Sequence, residues 1–248
     1  MKNFYRIILL TLLLSPPFSF AANKADKNPP STLTQELQAL ADKAKAKSTP
    51  EKAAIMNGAT EKLRKSEILK NALKMGDKIP AFSLPDSNGK EISTTELLKK
   101  GPIVLTFYRG AWCPYCNLQL NSLQSNIEAF HTLGAEVVAI SPQTPDNSLS
   151  TVQKNSLDII VLSDVGSVIG KKFGLVFKLP DDLKKLYQSM GLDLAKANGN
   201  NDWELPVAAS YVVNPQGIIT YSFMDVDYKK RAETLTLIEE VKKISIKK

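Results

Sequence analysis

Cys113 and Cys116 are the only cysteines of the 248-residue chain, and they lie three positions apart in the stretch TFYRGAWCPYCN, residues 106–117. Cysteines at this spacing occur in structural disulfides, metal sites, c-type haem attachment sites and redox pairs. An apolar run typical of a β-strand precedes them, and a helix-length segment follows. These four chemistries therefore compete at a predicted strand-to-helix junction.

Three of these chemistries are disfavoured by the residues around the pair. A structural disulfide at this spacing closes a very short loop and stabilises a fold by only about 2 kcal/mol in the chain-entropy model. A zinc site needs at least three protein ligands, and the only histidine, His131, stands near the end of a predicted helix. Haem attachment needs a histidine directly after the second cysteine, where Asn117 stands. We therefore expect no metal and no cofactor.

Redox chemistry is favoured by the expected position of the pair at the start of a helix. Pro114 suits the first helical turn, so Cys113 is the predicted N-cap. Unpaired N–H groups and the positive end of the helix dipole then face its sulfur, and Arg109 adds positive charge nearby. We expect the pKa of Cys113 to be lower than that of a free cysteine. Cys116 would lie close enough to attack a sulfenic acid or mixed disulfide formed on Cys113.

The elements that position this pair are predicted to form a mixed sheet flanked by helices. Apolar runs predict strands at residues 103–108, 136–140, 159–162, 210–213 and 218–221. A helix-length segment separates the first two runs, which indicates a βαβ unit and a partly parallel sheet. The turn sequence at residues 214–217 joins the last two runs as a hairpin, so the sheet should be mixed. The fold class is therefore α/β, and a closing helix is expected over residues 235–244.

The remaining segments predict export and an appended helical region. Lys2 and Arg6, the apolar run after them and the small residues Ser19 and Ala21 indicate a cleaved secretory signal at residues 1–21. This run is shorter than the roughly 20 residues that span a bilayer, so we expect a periplasmic chain without stable membrane insertion. Residues 22–75 are predicted as a linker and a helical extension, with helices starting near residues 31 and 52 and the second helix running to about residue 74. Residues 76–248 form the main domain, with an insertion at about 175–205 that carries a helix at 181–190 followed by a polar loop at 197–202.

The charge pattern argues against nucleic-acid binding. The formal net charge is +7, but the basic residues are spread over several helix-like segments. Nucleic-acid binding asks for a basic stripe with interleaved aromatic residues or a recognisable module, and neither is present.

Several stretches of the main domain carry a family resemblance, which extends from Gly76 to about Lys243. They are residues 76–86, GDKIPAFSLPD; 89–90, GK; 107–117, FYRGAWCPYCN; 173–174, FG; and 211–219, YVVNPQGII. Together they resemble the peroxiredoxin-like branch of the alkyl hydroperoxide reductase and thiol-specific antioxidant family.

The resemblance implies a thioredoxin-like fold and a thiol-dependent peroxidase of the antioxidant type. Cys113 would be the peroxidatic cysteine, oxidised by a hydroperoxide to a sulfenic acid, and Cys116 the resolving cysteine. A thioredoxin-like protein would supply the electrons, and a homo-oligomer remains open. The supporting site residues that we expect around the pair are Arg109, Gly110, Trp112 and Pro114.

Three positions depart from the typical family pattern. Typical peroxiredoxins carry Pro seven residues before the attacking cysteine, where Thr106 stands, and Thr or Ser three residues before it, where Gly110 stands. The hydroxyl of that Thr or Ser helps to orient the peroxide, and Gly110 supplies no such donor. A family arginine would align with Ala208, which leaves Arg109 as the only charged residue that the sequence indicates near Cys113. Trp112 and Tyr115 stand on either side of Cys113 in the sequence. Two roles are equally consistent with the sequence: limiting access to the Cys113 sulfur, and simple packing in the core.

Two further functions fit the same residues. The cysteine spacing and the missing hydroxyl also suit an extracytoplasmic thiol-disulfide oxidoreductase acting on protein disulfides. The helical extension also suits a non-catalytic interaction module whose disulfide stays closed.

Overall fold

The computed structural model of the chain describes residues 32–245, apart from the side chain of Lys154. The predicted signal at residues 1–21 and the linker residues 22–31 lie outside the described residues. The helices are α1 (Leu33–Ala46), α2 (Pro50–Lys65), α3 (Thr94–Lys100), α4 (Pro114–Ser125), α5 (Ile127–Thr132), α6 (Pro145–Asn155), α7 (Val168–Lys172), α8 (Asp181–Ser189), α9 (Leu194–Asn198) and α10 (Thr234–Ser245). The strands are β1 (Ser83–Pro85), β2 (Glu91–Ser93), β3 (Ile103–Phe107), β4 (Glu136–Ser141), β5 (Ile160–Ser163), β6 (Val176–Lys178), β7 (Glu204–Pro206), β8 (Ala209–Val213) and β9 (Ile219–Met224).

Five strands form the central sheet, in the order β5-β4-β3-β8-β9. β3 runs parallel to β4, and β4 runs parallel to β5, whereas β8 is antiparallel to both β3 and β9. The predicted mixed sheet flanked by helices is therefore confirmed, and each central strand starts within one residue of its predicted start. The hairpin between β8 and β9 is closed by Asn214, whose side-chain oxygen accepts the N–H groups of Gln216 and Ile218.

β3 is buried on both faces, because the chain packs an apolar layer against each side of the sheet. Side chains that alternate along a strand point to opposite faces, and Val104 packs in a different core cluster from Ile103 and Leu105. The cluster around Val104 also contains Cys113 and Cys116. The redox pair therefore lies inside one of the two apolar layers, directly beside the sheet.

The N-terminal helices pack against this core. α1 begins at a capping box in which the Thr32 hydroxyl and the Gln35 amide satisfy each other's backbone N–H groups. Leu33 and Leu37 of α1 are buried in the cluster that holds the cysteines. α2 ends at Lys65, earlier than the predicted end near residue 74, because Glu67 adopts a left-handed backbone with φ of 55°. A short 3-10 turn follows it.

The insertion has a small core of its own. β6 and β7 pair as an antiparallel ribbon, and α8 and α9 lie between them along the chain. The predicted helix of the insertion is confirmed as α8, but the predicted polar loop at residues 197–202 is partly helical in α9. The buried residues of this third cluster are Leu179, Leu183, Tyr187, Leu194, Trp203 and Leu205. Side chains of α2 and the ring of Trp112 pack against the cluster, so the insertion contacts both the extension and the redox stretch.

None of the helices within residues 32–245 has the length and apolar character needed to cross a membrane.

The packing of α1 predicts a large difference between two leucine truncations. Leu37→Ala should lower the free energy of unfolding by about 2–4 kcal/mol, because a buried side chain is removed and a cavity remains. Leu235→Ala is the matched control, since Leu37 is 5% exposed and Leu235 is 65% exposed. The control should change the free energy by about 0.5 kcal/mol or less. Urea unfolding measures both, and equal effects would show that α1 is not packed into the core.

Candidate active site

The two cysteines are placed by the end of a buried strand and the start of a helix. β3 ends at Phe107, and α4 begins at Pro114 with Cys113 as its N-cap, as the sequence predicts. The carbonyl of Cys113 accepts the N–H groups of Cys116 at 3.0 Å and Asn117 at 3.1 Å. Both cysteines are free thiols and almost fully enclosed, with 2% of Cys113 and 0% of Cys116 exposed. A reagent must therefore reach Cys113 through a narrow opening.

A second guanidinium group contacts the pair. Nη2 of Arg231 donates to the sulfur of Cys116 at 3.3 Å, while Nη1 donates to the carbonyls of Tyr228 and Lys230. The sequence indicated Arg109 as the only charged residue near the pair, and this prediction is wrong. Arg231 follows β9 and lies 115 positions after Cys116, in a basic run that has the pattern of a solvated surface. Ala208, which aligns with a family arginine, is buried and carries no charge.

Arg109 is enclosed by aromatic rings. Its guanidinium carbon lies 4.5 Å from the ring centre of Tyr228, 4.9 Å from that of Trp112 and 5.9 Å from that of Tyr187. Nη2 also donates to the hydroxyl of Tyr187. Aromatic faces attract a cation and compensate part of its lost hydration. Tyr187 belongs to α8 of the insertion, so the insertion holds one wall of the Arg109 site.

The thiol pair carries a single lowered pKa, and it is that of Cys116. Burial raises the pKa of Cys113 well above its ordinary value, as does its hydrogen bond with Cys116. Burial also raises the pKa of Cys116, but the hydrogen bond from Cys113 and the charges of Arg231 and Arg109 outweigh it, so this pKa is lowered well below its ordinary value. The expectation of a lowered pKa at Cys113 is therefore wrong for the reduced pair. Two hydrogen-bonded thiols titrate together, and the pair shares one negative charge.

Glycine is required at position 110 by the backbone conformation and by the side chain of Trp112. Its φ of 137° is one that residues with a side chain rarely adopt. A Cβ atom on this residue would lie 2.5 Å from Nε1 of Trp112 and 3.1 Å from Oε1 of Gln143. The same amide oxygen accepts the N–H of Ala111 at 2.8 Å. A Thr or Ser at this position would therefore displace the Trp112 indole.

A groove of about 910 Å³ opens beside the pair. α1 and α2 line one side, residues 227–231 line the other, and Tyr115 contributes to its lining. Tyr115 is buried and packs edge to face on Tyr228 with ring centres 5.5 Å apart. The helical extension thus forms part of the surroundings of the thiols. Arg231 also lines the groove, which brings the groove next to Cys116.

Sequence reasoning placed the cysteines, Arg109, Gly110, Trp112 and Pro114 in one site, and the structure brings these residues together. It missed Arg231, Tyr187 and Tyr228. No pattern in the sequence showed that Tyr187 of α8 meets Arg109.

The model of the AhpC/TSA family matches residues 75–222. Peroxiredoxin Bcp of Escherichia coli (strain K12) is 32% identical over 105 residues, which are 42% of this chain and 67% of that protein. Peroxiredoxin Q, chloroplastic, of Sedum lineare is 29% identical over 182 residues, which are 73% of this chain and 85% of that protein. The chain spans about two thirds of the length of the first curated relatives, from 65% to 67%.

Solved structures show the same fold. Peroxidoxin BcpB from Mycobacterium tuberculosis matches with a TM-score of 0.55 at 20% identity, over 69% of this chain and 98% of that chain. The likeness confirms the predicted thioredoxin-like fold with its mixed central sheet. The family-matched segment contains both cysteines, Arg109 and Tyr187, whereas Arg231, Tyr228 and the helices α1 and α2 lie outside it.

Removal of the Arg231 charge should shift thiol reactivity to higher pH. The guanidinium lowers the pKa of Cys116, so Arg231→Gln should move the pH profile of iodoacetamide alkylation upward by about one unit or more. Lys230→Gln is the control, because Lys230 is exposed and pairs with Asp225. Its profile should match that of the unmodified protein. An unshifted profile in Arg231→Gln would contradict the role of this guanidinium.

The contact between Tyr187 and Arg109 predicts a stability difference between two tyrosine variants. Tyr187→Phe keeps the ring but removes the acceptor for a buried guanidinium, so the free energy of unfolding should fall by about 1–3 kcal/mol. Tyr221→Phe is the matched control, since no described residue hydrogen-bonds to that half-buried hydroxyl and its loss should cost about 0.5 kcal/mol or less. Urea unfolding compares them. Equal losses would mean that the insertion does not anchor Arg109.

Proposed function

The chain belongs to the AhpC/TSA family, and on this premise we propose that it is a thiol-dependent peroxidase that reduces hydroperoxides through Cys113 and Cys116. One observation carries the proposal for this site. The sulfur of Cys116 accepts a hydrogen bond from Arg231 at 3.3 Å and another from the Cys113 thiol, inside an enclosed cluster that also holds Arg109. A pair in this setting holds a thiolate, and the thiolate is the nucleophilic form of cysteine.

The first step is attack on the peroxide by Cys113. Passage of one proton from Cys113 to Cys116 within the hydrogen-bonded pair places the thiolate on Cys113. Its sulfur forms a bond to the terminal peroxide oxygen while the O–O bond breaks. The remaining oxygen leaves with the electron pair of that bond and takes the proton that the hydroperoxide carried, which gives an alcohol or water. Cys113 is left as a sulfenate, which takes up one proton from water to give the sulfenic acid.

The second step uses Cys116 as the resolving thiol. Its sulfur attacks the sulfur of the sulfenic acid, water leaves, and a disulfide forms between the two cysteines. Cys116 lies in the first turn of α4, and the two sulfurs are close enough to hydrogen-bond before the reaction. A dithiol reductant then restores both thiols by exchange. The resemblance supports a thioredoxin-like protein as this donor.

Peroxidase activity is favoured over the two alternatives. The peroxiredoxin relatives support peroxidase chemistry, and they support neither exchange with protein disulfides nor a permanently closed disulfide. We also propose a periplasmic location, which the signal features at residues 1–21 support.

Stopped-flow mixing with hydrogen peroxide tests the proposed function. The reduced protein should react at a rate constant about 100-fold or more above that of free cysteine, because buried donors stabilise the charge that develops on oxygen. Cys113→Ser should abolish the reaction. Cys116→Ser should keep the first oxidation but form no disulfide, so turnover with thioredoxin as donor stops. A rate near that of free cysteine in the unmodified protein would contradict the proposal.

A further inference from the structure

Three buried N–H groups near the cysteine pair have no hydrogen-bond partner among the described residues. They are Nε of Arg109, Nε1 of Trp112 and Nε of Arg231. An unpaired buried donor costs about 1–3 kcal/mol, so native proteins leave few of them and tend to concentrate them at functional sites. Arg231 bonds the sulfur of Cys116, and Trp112 precedes Cys113 and stacks on Arg109. Three such donors in one site point to an acceptor that arrives with the substrate.

Trp112 has the most specific position of the three. Its Nε1 lies 2.5 Å from the point where a Cβ atom on Gly110 would stand, and its Cδ1 lies 2.9 Å from that point. The edge of the indole that carries the N–H therefore fills the space of a side chain at residue 110, three positions before Cys113. This is the place where the family pattern has a hydroxyl donor. The charge of Arg109, 4.9 Å from the indole centre, also makes this N–H a stronger donor.

We propose that the indole N–H of Trp112 is a catalytic hydrogen-bond donor to the peroxide and replaces the hydroxyl that Gly110 lacks. The proposal rests on the proposed peroxidase function. As Cys113 forms the S–O bond and the O–O bond breaks, negative charge builds on the leaving oxygen. The N–H donates to that oxygen and keeps its own proton. The leaving oxygen is protonated by the proton that the hydroperoxide brings, and an alcohol or water departs.

An isostere without the N–H separates donation from packing. Incorporation of 3-benzothienylalanine at position 112 replaces the N–H by sulfur and keeps the bicyclic shape. The rate constant with hydrogen peroxide, measured by competition with a haem peroxidase, should fall about 100-fold. The rate of iodoacetamide alkylation and its pH profile should stay unchanged, because that reaction develops no charge on oxygen. The control is the same isostere at Trp203, whose N–H donates to Asn201 at 2.9 Å; it should alter neither reaction.

Each other outcome overturns the proposal. An unchanged peroxide rate in the position 112 isostere shows that the N–H is not a donor to the substrate. An equal fall in the peroxide and alkylation rates shows that Trp112 acts by packing around the thiols. The rate of the unmodified protein with hydrogen peroxide distinguishes failure of the peroxidase function from failure of the role of Trp112. If it reacts no faster than free cysteine, the peroxidase function itself fails; if it reacts fast and the isostere does too, only the role of Trp112 fails.

Discussion

Two buried arginines without a carboxylate partner govern the architecture of this site. Arg109 and Arg231 are each 5% exposed, and neither forms an ion pair with an Asp or Glu of residues 32–245. A buried charge costs several kcal/mol unless nearby groups compensate for its lost hydration. Aromatic faces and backbone carbonyls supply part of this compensation. The cysteine pair supplies a further negative charge when it ionises, so the fold itself favours that ionisation.

Elements from distant parts of the chain converge on the cysteine pair and the two guanidiniums. β3 and α4 deliver the cysteines and Arg109 by local structure, since the chain turns from strand to helix between them. The insertion supplies Tyr187, and the segment after β9 supplies Tyr228 and Arg231. The segment matched by the family model ends at residue 222, so Arg231 lies beyond it. This chain therefore combines a family scaffold with a guanidinium that reaches the thiols from a separate loop.

The parts of the fold and the site that were predictable from sequence depend on local physics. Apolar periodicity located the central strands, and Pro114 located the start of α4, because strand burial and helix initiation are encoded by neighbouring residues. The end of α2 was misplaced, since the left-handed backbone of Glu67 is not marked by a glycine or proline. Arg231 and Tyr187 could not be located, because their contacts join residues 115 and 78 positions apart.

The error in the thiol pKa has the same origin. The helix dipole and Arg109 both act on Cys113 and are visible in the sequence, so they suggested a lowered pKa there. Complete burial of Cys113 and its donation to Cys116 depend on tertiary packing, and they reverse the expectation. Gly110 shows the opposite case. The sequence marks the loss of a hydroxyl, and the structure explains it by the indole that occupies the space.

The reduced pair holds one thiolate because two buried guanidiniums require a negative charge beside them. The most direct test is the absorbance of the reduced protein at 240 nm, where thiolates absorb, followed from acid to alkaline pH. The account predicts that one thiolate per chain appears well below the ordinary pKa of cysteine, while the second thiol stays protonated beyond it. Absence of any thiolate until the ordinary pKa or above would contradict the account.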